Sequence, residues 1–438
     1  MFRFLFEVLF AILLTCLSCS AAENQWAEVR SQHFRVITDG SEKDARRVAR
    51  EFEQIRFAMS SVYTKLRLDS GAPFLVMCPR DESSMKVLAP QFWKRKGFKP
   101  AGFFQHGWDK EYAVVRLDEL RPESYEVVYH EYVHSVMHLN LRSLPVWLDE
   151  GLAEFHANTR FEKTKLYVGA PSWRLRVLRS RPPIPLSTLL SVKPGSPYYR
   201  DEDKADLFYA ESWLLTHYLF FGPGMESGKK LLRFIALLDD TEQVKAFEEV
   251  FGSIQAVEKS LDMYGRNFTM AGGTLNTPAS TDEKEFKSRR MSAAETEAEL
   301  GSYHLWSHAR DLARPLIEQA LKDDPTLGLA HEDMAFLNFA EGKDEDAVRE
   351  FTQAVALDPK LYLSLFSSTM MSPVARSDAP ADQAEFESAL LKVLDQDPQF
   401  APALVQIARL YVRQGNLERA FGIARKAESL DPARAGYH

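Results

Sequence analysis

His130 and His134 stand four residues apart in the stretch Val127-Val128-Tyr129-His130-Glu131-Tyr132-Val133-His134. On a helix that spacing leaves about 40° between two side chains around the axis, so both imidazoles can aim at one point. Two imidazoles aimed at one point can share a metal ion. Glu131, one step round the helix, cannot easily reach that ion but can take a proton from a water that the ion activates, which is the arrangement of a metal-dependent hydrolase. A third donor follows downstream. Pro145 suits the first turn of a second helix, on which Glu150 and Glu154 lie on one face, and either carboxylate could complete a three-ligand site with a fourth position left for water.

The elements that must hold these residues are legible nearby. A helical run from about Ser124 to Leu139 carries Val127, Val128, Val133, Val136, Met137 and Leu139 as core-facing positions, so the histidines belong to a buried helix. With Trp147-Leu148-Asp149-Glu150-Gly151-Leu152-Ala153-Glu154-Phe155 after it, the chain resembles the gluzincin metallopeptidases, whose second helix carries the last ligand in a segment of this form. The resemblance implies zinc as the cofactor, His130, His134 and Glu150 as its ligands, and Glu131 as the general base. It also implies that Glu154 accepts a hydrogen bond from a ligand imidazole and fixes its tautomer. Spacing alone leaves Glu154 open as the ligand, and the Glu-Gly context favours Glu150. His138 lies four residues beyond His134, but the metzincin pattern needs Gly in place of Met137 and His in place of Asn140, so His138 is read as a supporting or core histidine. Tyr209, in Tyr209-Ala210-Glu211-Ser212-Trp213, belongs to a segment similar to one that follows the metal helices in related exported proteins, and is read as a donor to the developing oxyanion. Tyr198, Tyr199 and His217 rank below it.

The chain has 438 residues, 45% of them hydrophobic, and a net charge of −8, which suits two or three domains with ample core and excludes a basic nucleic-acid-binding surface. Its start has Arg3, an apolar run from Val8 to Leu17, and Ser20-Ala21-Ala22 before Glu23, the order of a secretory signal peptide cleaved near Ala22. Cys16 and Cys19 fall inside that segment, which leaves Cys78 alone and no intramolecular disulfide. Leu17-Ser18-Cys19 resembles a bacterial lipoprotein cleavage site, so membrane attachment enters only through lipidation of Cys19. The expectation is an exported protein, periplasmic or secreted.

From Trp26 the pattern alternates between strand and helix. Strands are expected at His33 to Thr38, Phe74 to Cys78, Ala101 to Gln105, Tyr112 to Leu117 and Lys163 to Val168, with a helix capped by Ser41 between the first two. Ala101 to Gln105, just before the metal helix, is the strand on which an extended substrate would pair, as the resemblance implies. The Glu that binds a free amine in aminopeptidase members is not visible there. Arg174, Arg176, Arg179 and Arg181 form a basic run read as a solvated face.

The last third repeats. Asp324-Pro325, Asp358-Pro359, Asp397-Pro398 and Asp431-Pro432 are separated by 34, 39 and 34 residues, and small residues such as Gly301, Ala313, Ala335, Ala347 and Ala420 recur before them. This resembles the tetratricopeptide repeat, with a degenerate third unit in which Phe386 takes the place of Ala. The fold class expected is α+β, a small mixed sheet with a helical gluzincin-like zinc domain, followed by an all-α tetratricopeptide solenoid. Its domains would be a signal peptide over 1–22, the metallopeptidase domain over 26–268, a polar linker over 269–291 and four repeats over 292–438. The function expected is hydrolysis of peptide bonds in a protein or peptide substrate, with the repeats recruiting a protein partner. The competing class is a non-catalytic scaffold whose repeats do the work.

Overall fold

The structure, a computed structural model, describes residues 26–69, 73–94, 100–107, 110–120, 125–141, 144–162, 165–266, 270–276 and 283–430. The segment expected to be a signal peptide, with Cys16 and Cys19, and the last Asp-Pro pair lie outside them.

Five strands of the first 115 residues build most of a six-stranded mixed sheet: β1 (Ala27–Arg30), β2 (Arg35–Thr38), β3 (Phe74–Cys78), β4 (Gly102–His106) and β5 (Glu111–Val115). Its order is β4-β5-β3-β2-β1 and then β9 (Lys287–Arg290), with β2, β3 and β5 parallel and the other neighbours antiparallel. Both faces are buried, which is why β3 reads as an unbroken apolar run. Val36, Val76, Cys78, Ala113 and Val115 join the main core, to which helix α1 (Glu42–Val62) adds Ala45, Val48, Phe52 and Met59 at helical spacing. The alternate residues Ile37, Leu75, Met77, Tyr112 and Val114 form a second core on the other face, together with Met85 and Leu88 of α2 (Glu82–Leu88).

The helices that carry the candidate ligands are α3 (Glu126–Asn140) and α4 (Val146–Ala157). After them come β6 (Arg160–Glu162) and β7 (Lys165–Val168), then α5 (Leu175–Ser180), α6 (Leu186–Ser191), α7 (Pro197–Arg200), the long α8 (Glu202–Phe221), α9 (Lys229–Leu237), α10 (Gln243–Phe251) and α11 (Ile254–Gly265). Two described pieces of the stretch 269–291, expected as a polar linker, pair with strands of the first domain. β8 (Gly273–Asn276) pairs with β7 in a small antiparallel sheet, and β9 forms an edge of the large sheet on β1. The reason is physical: an edge strand can pair through its backbone while exposing charged side chains, so Lys287-Ser288-Arg289-Arg290 carries no apolar signal. Arg289 uses its charge instead, on the buried Glu28 at 2.7 Å.

The remaining helices form four antiparallel pairs of tetratricopeptide type: α12 (Ala293–Trp306) with α13 (Arg310–Asp323), α14 (Gly328–Ala340) with α15 (Asp344–Leu357), α16 (Tyr362–Met371) with α17 (Pro380–Gln396), and α18 (Ala401–Arg413) with α19 (Leu417–Leu430). Small residues let the partners approach; a Cβ on Gly301 would lie 2.7 Å from Ile317. In the third pair the buried Phe386 occupies the place of an alanine, and a 3-10 turn at Pro373–Arg376 lengthens the connection. The repeats contact the sheet through α12. Tyr303 of α12 is buried in the second core, and Glu299 pairs with Arg35 and, at 3.3 Å, with Lys110. Among the described residues no helix is long and apolar enough to cross a membrane.

Candidate metal centre

Helix α3 buries Val128, Tyr129, Tyr132, Val133, Val136 and Met137, which leaves His130, His134 and His138 in a row along another face. Helix α4 meets that row, fixed by burial of Trp147, Leu148, Leu152 and Phe155. Gly151 explains how closely α8 packs on α4: a Cβ there would lie 2.2 Å from Thr216 Oγ1 and 2.6 Å from the Ser212 carbonyl oxygen. The residue after Glu150 must therefore lack a side chain.

These helices bring His130, His134 and Glu150 together. The two Nε2 atoms are 3.0 Å apart, and Glu150 Oε2 lies 3.4 Å from each. Tetrahedral zinc with bonds of about 2.0–2.1 Å needs donors roughly 3.3 Å apart, so the triangle has the right size. Glu150 Oε2 is buried and has no hydrogen-bond partner among the described residues, while Oε1 accepts from the Tyr199 hydroxyl at 2.8 Å. An orphaned buried carboxylate oxygen is costly unless something positive meets it. Two nitrogens and one oxygen converging on that spot suit zinc.

Behind the ligand atoms stand carboxylates. Glu154 Oε1 is 3.4 Å from His130 Nδ1, and Asp149 Oδ1 is 3.0 Å from His134 Nδ1. With each Nδ1–H directed at a carboxylate, both Nε2 lone pairs face the shared point. Glu154 is held in turn by a two-point contact with Arg174, at 2.6 and 2.8 Å, and Asp149 Oδ2 is 2.9 Å from His138 Nε2. His138 thus supports the site through Asp149.

The electrostatics follow from this crowding. Burial opposes charge on His130, but Glu150 and Glu154 outweigh it and raise its pKa to about 9; His134 is raised well above its ordinary value in the same way by Asp149 and Glu150. Burial acts against ionisation of Asp149 too, yet His134 and His138 hold its pKa at about 2. Glu131 goes the other way: burial raises its pKa, and the neighbouring histidines and the Phe104 backbone only partly offset this. Beside it runs β4, an edge strand of the large sheet. The Arg116 N–H to Ala101 and Gly107 N–H to Lys110 bonds set the register, which turns the backbone groups of Gly102, Phe104 and His106 away from β5.

Tyr209 lies beside His130, with ring centroids 6.4 Å apart, and Arg174 sits over its other surroundings at 5.2 Å from the ring. Burial, then Glu150, pushes its hydroxyl well above the ordinary tyrosine range. Three residues with roles here had no such role in the sequence reading: Tyr199 on Glu150, Asp149 on His134, and Arg174 on Glu154. Asp149 had a usable signal, its place next to a ligand. Tyr199 sits in the one-turn helix α7 and Arg174 just before the short α5, elements too short for a periodicity to encode their approach. Arg174 is not a solvated member of the basic run; it is largely buried against Glu154.

No family model matches the chain, and no curated protein matches it. Solved structures similar to it include two titled as crystal structures of MamA, at 19% and 17% identity, covering 32% and 48% of this chain and 78% and 97% of theirs, with TM-scores of 0.26 and 0.25. A third, YrrB, described as a TPR protein with an unusual peptide-binding site, is 18% identical over 45% of this chain and 91% of its own, with a TM-score of 0.25.

Proposed function

We propose that the protein is an exported zinc-dependent peptidase whose repeats hold its polypeptide substrate. The observation that supports this most directly is the triangle of His130, His134 and Glu150 with its unpartnered Glu150 oxygen. His130 and His134 would hold zinc through Nε2 and Glu150 through Oε2. Bound there, zinc supplies a Lewis acid for the scissile carbonyl and lowers the pKa of water towards neutrality. Glu131 accepts the proton on a carboxylate that burial makes more basic than usual, and returns it to the leaving amine. Tyr209, whose hydroxyl stays protonated, donates to the oxyanion; Tyr199 keeps Glu150 in its orientation. The outward backbone groups of β4 pair with extended substrate. Export rests on the apolar N-terminal run that ends in Ser20-Ala21-Ala22.

Elemental analysis of the purified protein, followed by digestion of unfolded casein, is the test. About one zinc per chain and cleavage that disappears in Glu131→Gln are expected. Zinc-loaded protein that cleaves neither casein nor a peptide library would overturn the reading.

A further inference from the structure

The repeats touch the metal domain at both ends. At the near end Ser307, in the turn after α12, donates from its hydroxyl to Gln105 of β4 at 2.9 Å. At the far end the Leu430 carbonyl, closing α19, accepts from Arg67 Nη2 at 2.8 Å. Arg67 is itself joined to the end of the metal helix, since its backbone N–H donates to Asn140 Oδ1 at 2.8 Å and its carbonyl accepts from Asn140 Nδ2 at 2.6 Å. The stack of helix pairs thus spans the metal domain and meets it at both ends. Among the first helices of the pairs, α12 packs directly on α14.

On these helices opens a cavity of about 490 Å³ among Trp306, Phe336, Phe339, Phe366 and Met370, a size within the roughly 300–1,000 Å³ of ligand sites. Phe339 is 54% exposed, an aromatic ring left facing water. At the rim stands Arg310, exposed and without an ion-pair partner among the described residues. The pocket adjoins the metal domain, because Trp306 and His308, which line it, flank the Ser307 that holds β4.

We infer that this cavity anchors the substrate itself, a deepening that rests on the peptidase reading. A stretch of unfolded polypeptide paired on β4 continues onto the repeats, where a bulky apolar side chain enters the cavity and a neighbouring carboxylate meets Arg310. The substrate class is then extended, apolar and acidic polypeptide rather than short peptide. Arg310 supplies the charge preference and the five apolar residues supply the anchor.

The test uses the full mature chain and two probes. One is fluorescein-labelled α-lactalbumin, reduced and carboxymethylated, an unfolded acidic polypeptide; the other is a fluorogenic tripeptide, at most about 11 Å long. Phe339→Asp and Arg310→Glu each change an exposed position, and Phe421→Asp on the exposed surface of α19 serves as control. In chelator-stripped protein, fluorescence anisotropy should show lactalbumin binding weakened at least ~10-fold by either pocket variant and unchanged by the control. In zinc-loaded protein the same variants should raise KM for lactalbumin and leave tripeptide hydrolysis unaltered. Tripeptide hydrolysis with lactalbumin binding and KM indifferent to both pocket variants overturns this proposal alone. An equal loss in Phe421→Asp overturns it as well, whereas hydrolysis of neither probe by any form overturns the peptidase reading.

Discussion

Which of the two glutamates would hold the proposed metal can be decided by comparing Glu150→Ala with Glu154→Gln. Glu150 Oε2 is 3.4 Å from both Nε2 atoms and has no other partner, whereas both Glu154 oxygens are engaged by Arg174 and one also faces His130 Nδ1. Zinc sites of four ligands are worth roughly 10–16 kcal/mol near neutrality, so one ligand accounts for about 2.5–4 kcal/mol, or on the order of a hundred-fold to a thousand-fold in affinity. A residue that only orients a ligand imidazole is worth about 10–100-fold. Competition between stripped protein and a zinc-binding dye should therefore give a loss for Glu150→Ala at least ~10-fold larger than for Glu154→Gln. Circular dichroism on the same samples checks that α3 and α4 persist. If Glu154→Gln loses zinc as completely as Glu150→Ala, or more so, the two roles are exchanged and the argument from the orphaned oxygen is wrong.

Glu131→Gln keeps shape but cannot take up a proton, so it should retain zinc and lower kcat at least ~100-fold; equal activity with casein would remove Glu131 as base. Glu299→Ala removes a buried carboxylate shared by Lys110 and by Arg35, which keeps Glu28, and should cost about 1–3 kcal/mol, read as a lower urea midpoint and faster cleavage between sheet and repeats. A chain ending at Arg290 uncovers Ile37, Leu75, Met77, Tyr112 and Val114, and should be insoluble or lose its near-ultraviolet dichroism; a stable, zinc-binding fragment would contradict the shared core. Glu211 supplies a pH test: burial, aided by Asp262, raises its pKa from 4.5 to about 7, although the Ile184 N–H donates to it. The folded state then holds this proton more tightly than the unfolded chain, so stability present below pH 4.5 is lost as pH rises to 7, by up to about 3 kcal/mol. Glu211→Gln should flatten that slope in urea titrations at pH 5 and 7.5, and an unchanged slope would refute it.

Periodic features carried far in this sequence. The four-residue spacing of His130, His134 and His138, the Asp-Pro recurrence and the β-branched runs at β2, β3 and β5 each report a regular backbone, whose side-chain directions follow from 3.6 or 2 residues per turn. What stayed hidden depends on how separate elements meet. β9 pairs by backbone alone, so a run of Lys and Arg gave no sign of a strand. Tyr199 reaches Glu150 across 49 residues and Arg174 reaches Glu154 across 20, from segments with no period to extrapolate. The uncovered face of the sheet was the missing clue. Three parallel strands with apolar residues on both sides demand two covering layers, and α2 is too short to supply the second.

That requirement joins the repeats to the chemistry. Because α12 covers the outer face of the sheet, it also holds β4 through Ser307 and Gln105. The strand proposed to pair with substrate is thus held from the repeats. Displacing α12, as Glu299→Ala would, disturbs β4 and should slow even a tripeptide, which never reaches the repeats. Filling or charging the cavity between α12, α14 and α16 leaves that strand in place and should slow only long substrates. The two parts of the chain therefore separate by substrate length, not by a linker. The order of effects across these variants distinguishes a repeat layer that builds the site from one that only feeds it.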